Sequence, residues 1–166
     1  PALALGNTVV AKPSELTPLT AAALCEIMAE SGVPDGVFNL VHGLGAEAGQ
    51  ALVEHPDVRA ISFTGGTATG AHVAATAAPL FKKLSLELGG KNPTLVFADC
   101  DFEAAVEGTV RAGFQNQGQV CLCGSRVLVE AGIQERFVAA LGERVATLRI
   151  GDPSDPATQF GALVSA

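Results

Sequence analysis

Ala60-Ile61-Ser62-Phe63-Thr64-Gly65-Gly66-Thr67-Ala68-Thr69-Gly70 is the stretch on which the fold turns. Ala60 to Phe63 is a short apolar strand, the two glycines make a turn, and Thr67 opens a helix that runs to Ala77 and is closed by Pro79. Strand, tight turn and helix form the repeating unit of an α/β protein with a mainly parallel sheet. The same unit recurs upstream. Thr8 to Ala11 reads as a strand, Thr17 as an N-cap and Pro18 as the first position of a helix with Leu24, Ile27 and Met28 on one face. Gly32 and Pro34 end that helix, Val37 to Val41 is a strand, and a further helix runs to about His55, where Pro56 stops it.

Downstream, Leu84-Ser85-Leu86-Glu87-Leu88 alternates, so the three leucines share one face of a strand and Glu87 takes the other. Leu95 to Phe97 is a strand. Asp99 or Asp101 then caps a helix with Phe102, Val106, Val110 and Phe114 in one stripe. Arg126 to Glu130 is a strand, Ile133, Phe137, Leu141, Val145 and Leu148 mark a last helix, and Gly151 to Gly161 is a loop. The adjacent pair Gly89-Gly90 relaxes the backbone just past a strand and is the expected boundary between two α/β parts, 1–89 and 90–166. The first is expected to hold a Rossmann-like cofactor-binding sheet.

With 48% hydrophobic and 16% charged residues, the 166-residue chain is globular rather than disordered. Its net charge of −7 argues against a nucleic-acid partner, whose binding needs phosphates neutralised by Lys and Arg. No apolar run is long enough to span a bilayer. Cys25, Cys100, Cys121 and Cys123 make no disulfide framework, so a reducing, cytoplasmic setting is expected. The histidines lie far from Cys121 in sequence, and no metal site is expected. Both ends read as cut.

Three turns follow strands in the first part, where open parallel sheets gather ligands. In Lys12-Pro13-Ser14-Glu15, Lys12 offers a donor to a ribose hydroxyl, while Glu15 accepts from the adenosine ribose and repels a 2′-phosphate, which favours NAD over NADP. Gly43-Leu44-Gly45-Ala46-Glu47-Ala48 has the form G-x-G-x-x-A, yet no acidic strand end follows about twenty residues on, as a dinucleotide fingerprint requires. The third turn, Phe63 to Gly70, has P-loop spacing, but Ala71-His72 replaces the Lys-Ser/Thr that would hold phosphate and magnesium, which argues against ATP. What remains is a helix N-terminus suited to a pyrophosphate.

Two residues carry reactive chemistry. Cys121 lies in Asn116-Gln117-Gly118-Gln119-Val120-Cys121-Leu122-Cys123-Gly124-Ser125-Arg126, where Gly118 and Gly124 leave backbone room for a ligand. Glu87 precedes Gly89-Gly90-Lys91-Asn92-Pro93, and shielding there would raise its affinity for protons, as suits a general base. Cys25 and Cys100 lack any such frame and read as structural. Cys123 has two readings: it packs, or it links to Cys121 on oxidation and shuts the site down.

These two frames resemble the active-site signatures of the NAD(P)-dependent aldehyde dehydrogenases, and the likeness runs from Pro1 to Ala166. The resemblance implies Cys121 as nucleophile and Glu87 as the base that activates water or first deprotonates the thiol. It implies a cofactor site from Lys12, Ser14 and Glu15, from Gly45 and Gly49 packing closely beside the adenine pocket, from Phe63, Thr64, Gly65, Gly66, Thr67 and Gly70 around the pyrophosphate, and from Leu88. Gly66 stands where many members have serine. The substrate is expected to be a small aldehyde, and Val120-Cys121-Leu122-Cys123 is similar to members that oxidise semialdehydes. The chain looks like the middle of such an enzyme, and the parent is expected to be a homo-oligomer. A truncated, inactive nucleotide-binding or structural remnant is the alternative.

Overall fold

The computed structural model describes residues 1–165. They form two compact units, Pro1–Leu86 and Glu87–Ala166.

In the first unit, β1 (Val9–Ala11) pairs in parallel with β2 (Phe38–Leu40), Val9 opposite Phe38 and Ala11 opposite Leu40. The crossover is α1 (Leu19–Glu30), as a parallel pair requires. Gly32, at φ +80°, ends α1. Its amide donates to the Ala29 carbonyl at 3.1 Å, and the Val33 amide reaches Met28 at 3.1 Å, which satisfies the last carbonyls of the helix. After β2 comes one π-helical turn, Gly45–Gly49, which runs into α2 (Gln50–Glu54). Then β3 (Ala60–Gly65), α3 (Thr67–Ala77) and β4 (Lys83–Leu88) follow, with β3 paired to β4, whose last two residues already count to the second unit. Val53, Val73 and Ala77 form the core, packed by Ile61, Phe63 and Leu86.

Two expectations for α1 fail. Thr17 makes no side-chain cap, and Pro18 takes the capping position instead. The Ser14 hydroxyl is the acceptor just ahead of the helix, taking the Leu16 amide at 3.3 Å. The expected apolar stripe is also rotated. Leu24 and Ile27 are exposed, while Ala21, Ala22, Cys25 and Met28 turn inward. Nearly every side chain on this helix is apolar, so periodicity alone does not select the inner face.

In the second unit, β5 (Pro93–Val96) pairs in parallel with β6 (Arg126–Val129), from Pro93 opposite Arg126 to Val96 opposite Val129. Between them lies α4 (Phe102–Phe114), capped by Asp101, whose carboxylate accepts the Ala104 amide at 3.1 Å. The last helix is α5 (Gln134–Ala146). Val96, Val106 and the fully buried Phe137 make the core of this unit. The Phe102 and Phe137 rings meet edge to face at 5.9 Å. On the surface, the Arg144 guanidinium grips both Glu107 carboxylate oxygens, at 2.7 and 3.1 Å, and ties α5 to α4.

Candidate active site

Cys121 lies on the loop between α4 and β6, and that loop is held under strain. Beyond Phe114, three successive residues are left-handed: Asn116 (φ +51°), Gln117 (φ +57°) and Gly118 (φ +73°). For the two non-glycine residues this costs about 1–2 kcal/mol each, and such strain persists only where the surroundings enforce it. Here they do. The Gln119 amide donates to the Asn116 carbonyl at 2.9 Å, and the Asn116 side chain donates back to the Gln119 carbonyl at 3.3 Å. With its amide turned to satisfy both ends, Gln117 accepts from the Gly161 amide at 3.0 Å. At the far end, the Gly124 amide donates to Ala112 at 3.0 Å, and a Cβ at Gly124 would strike the Thr94 hydroxyl.

Asn92, just before β5, clamps the middle of the loop. Its side-chain amide donates to the Cys121 carbonyl at 2.8 Å and to the Cys123 carbonyl at 3.4 Å. Cys121 is left exposed, whereas Cys123 is buried, with 7% of its surface accessible. The Cys121 amide donates to no acceptor among the described residues. Of the two thiols, Cys121 is the accessible one.

Glu87 is on β4 and is exposed. The shielding expected for it is not supplied by this chain. It makes no hydrogen bond to Cys121 among the described residues.

The first unit contains a cavity of about 550 Å3, and eight of the residues expected to hold a cofactor line it. From the turn after β1 come Lys12, Ser14 and Glu15; from the π-helical turn, Gly45 and Gly49; from the end of β3, Phe63, Thr64 and Gly65. The Lys12 ammonium donates to the carbonyls of Pro13 at 2.6 Å and Gly43 at 3.0 Å, and lies 3.8 Å from the Glu15 carboxylate. That fixes the side chain against the π-helical turn. Gly65 is required because the Phe63 ring folds over it, 2.5 Å from where a Cβ would stand.

Gly66, Thr67, Gly70 and Leu88 do not line the cavity. Gly66 is the N-cap of α3 and gives no side-chain cap, so the first amides of that helix are unmatched by one. Around Gly66 nothing stands within 4 Å of a Cβ position, which leaves an open cradle for an anion. Thr67 begins α3, Gly70 is buried within it, and Leu88 ends β4 half-buried.

Gly45 and Gly49 keep their faces toward the cavity free of protein atoms. A Cβ at Gly45 would meet nothing within 4 Å, and one at Gly49 would only touch the Lys12 stem at 3.7 Å. The crowded glycine of that turn is Gly43, at φ +145°, where a Cβ would lie 2.8 Å from Ala48. Asn92, Gln50, Thr69 and His72 were not singled out from the sequence. Asn92 belongs to the quoted frame Gly89-Gly90-Lys91-Asn92-Pro93, where the sequence assigns it no role. The three others line the cavity: Gln50 carries no motif, Thr69 stands inside the glycine turn that ends at Gly70, and His72 stands two residues beyond it. Among the described residues no three His, Cys, Asp or Glu side chains are grouped to hold a metal, and no helix is long and apolar enough to cross a membrane.

Comparison with known proteins bears on these residues. The model of the aldehyde dehydrogenase family matches residues 1–166. A 2-hydroxymuconic semialdehyde dehydrogenase of Pseudomonas putida is 55% identical over 166 residues, which are 99% of this chain and 34% of that protein. A 2-aminomuconic semialdehyde dehydrogenase of Danio rerio is 53% identical over 165 residues, again 99% of this chain and 34% of the relative. Among solved structures, betaine aldehyde dehydrogenase of Staphylococcus aureus in complex with NAD+ matches with a TM-score of 0.93 and 44% identity, over 99% of this chain and 33% of its own. The chain thus spans about a third of the length of the curated relatives it matches.

Proposed function

Because this chain belongs to the aldehyde dehydrogenase family, we propose that the protein it forms oxidises an aldehyde to a carboxylic acid with NAD+. The observation that carries this reading is the Cys121 loop. Asn92 draws the Cys121 carbonyl away, which leaves an accessible thiol beside an amide with no other acceptor among the described residues. The thiolate adds to the aldehyde carbon, and the resulting oxyanion takes the Cys121 amide as one donor. NAD+ supplies the hydride acceptor, and the carbon left on sulfur is a thioester. Glu87 activates the water that hydrolyses it, which restores the thiol and releases the acid.

The cavity of the first unit suits the adenosine half of the dinucleotide. Glu15 would accept from the ribose hydroxyls and disfavour a 2′-phosphate, and the uncapped start of α3 would take the pyrophosphate. The names of the relatives support a narrower substrate, an unsaturated semialdehyde carrying a distal carboxylate. Four free cysteines support a reducing compartment.

The test is alkylation of Cys121 by iodoacetamide together with NADH formation, on the protein at its natural length. The expected result is selective modification of Cys121, slowed by a semialdehyde, and loss of all NADH formation in Cys121→Ser. Binding of NAD+ without thiol reactivity would instead make this a nucleotide-binding remnant.

A further inference from the structure

The cavity of the first unit has a polar pair that the reading above leaves unused. His72 on α3 and Gln50 at the start of α2 both line it. The His72 Nε2 and the Gln50 Oε1 lie 2.7 Å apart, and the Gln50 Nε2 donates to Glu54 Oε1 at 2.7 Å. These two contacts orient the amide and the ring. A carboxylate only accepts, so the Gln50 amino group faces Glu54 and its carbonyl oxygen faces His72. An amide oxygen also only accepts, so Nε2 carries a hydrogen. In the Nε2–H tautomer the other ring nitrogen, Nδ1, is a lone-pair acceptor, and it has no hydrogen-bond partner among the described residues. The apolar walls at Val10, Leu52, Ile61 and Val73 suit the faces of a flat heteroaromatic ring.

We infer that His72 selects the nucleobase of the dinucleotide, its Nδ1 accepting a hydrogen bond from the exocyclic amino group of adenine. The inference rests on the reading that the adenosine half of NAD+ occupies this cavity. A 6-oxo purine turns a carbonyl oxygen toward the same nitrogen, and two lone pairs then face each other. The Glu54–Gln50–His72 relay is therefore a positioning chain: Glu54 orients the amide, the amide sets the tautomer, and the tautomer decides which base is accepted.

The test compares NAD+ with nicotinamide hypoxanthine dinucleotide, which differs only in that amino group. Dissociation constants are measured by calorimetry on the protein at its natural length, for the wild type, His72→Phe and Glu54→Gln. His72 is exposed, so the phenylalanine keeps a flat ring without disturbing the core. The wild type is expected to prefer NAD+ by about five- to tenfold, the worth of roughly one hydrogen bond. The preference should vanish in His72→Phe and shrink in Glu54→Gln, which no longer dictates the amide orientation. Equal affinity of the wild type for both dinucleotides, or an unchanged preference in His72→Phe, overturns the inference while the NAD reading stands. A wild type that binds neither dinucleotide overturns both.

Discussion

One side-chain amide, that of Asn92, holds two carbonyls of the Cys121 loop. Replacing it with alanine frees both and lets the strained run from Asn116 to Gly118 relax, so the thiol drifts from its attack position. Misplacement of reacting atoms by about an ångström costs on the order of a hundredfold in rate. Asn92→Ala is accordingly expected to lower kcat by about ten- to a hundredfold while the Kd for NAD+ is unchanged, as steady-state kinetics and calorimetry would read. Gly124 is constrained differently. An added methyl group meets the Thr94 hydroxyl and lies 3.3 Å from the Ala112 Cβ. Gly124→Ala should destabilise the second unit by about 1–3 kcal/mol. Thr94→Ala in the same chain should recover part of that loss in urea unfolding.

At the scale of elements, Phe137 on α5 is the deepest side chain of its unit, packed against Phe102 and Val129. Phe137→Ala is expected to cost about 3–5 kcal/mol, measured by chemical denaturation. The surface tie between α4 and α5 carries a pH signature. The hydrogen bond from Arg144 holds the Glu107 carboxyl below its ordinary value of 4.5. A carboxyl lowered in the folded state contributes fully above its ordinary value, and the contribution fades as pH falls through the lowered one. Glu107→Gln should therefore melt below the wild type at neutral pH, with the gap closing in acid. These two helices were legible in the sequence because their apolar residues recur at helical spacing against a charged background. On α1 the background is apolar too, and its inner face was misread. The cysteine frame was equally legible, since two glycines and three amide side chains around a thiol mark a loop with work to do. Asn92 and His72 were not, because each acts through a partner far away in sequence, at Cys121 and Gln50.

Across the whole molecule, parallel strands are ordinarily buried on both faces. Here Val96 of β5 and Val129 of β6 turn into the core, while their neighbours Leu95 and Leu128, paired in register, are 59% and 53% exposed. On α1, Leu19 and Ile27 are likewise bare, at 81% and 56%. Produced as these 166 residues alone, the chain is expected to bind a hydrophobic dye such as ANS, and the protein at its natural length to bind markedly less. Equal dye binding by both would refute this. The ladder between β5 and β6 has one more effect. The Arg126 amide donates to the Asn92 carbonyl at 3.3 Å, and the Arg126 side chain donates to the Lys91 carbonyl at 2.8 Å, so the exit of the Cys121 loop is zipped to the residue that clamps it. A ribosome releases Cys121 before it releases β6. During synthesis the loop can therefore close on Asn92 only after β6 has emerged and paired with β5.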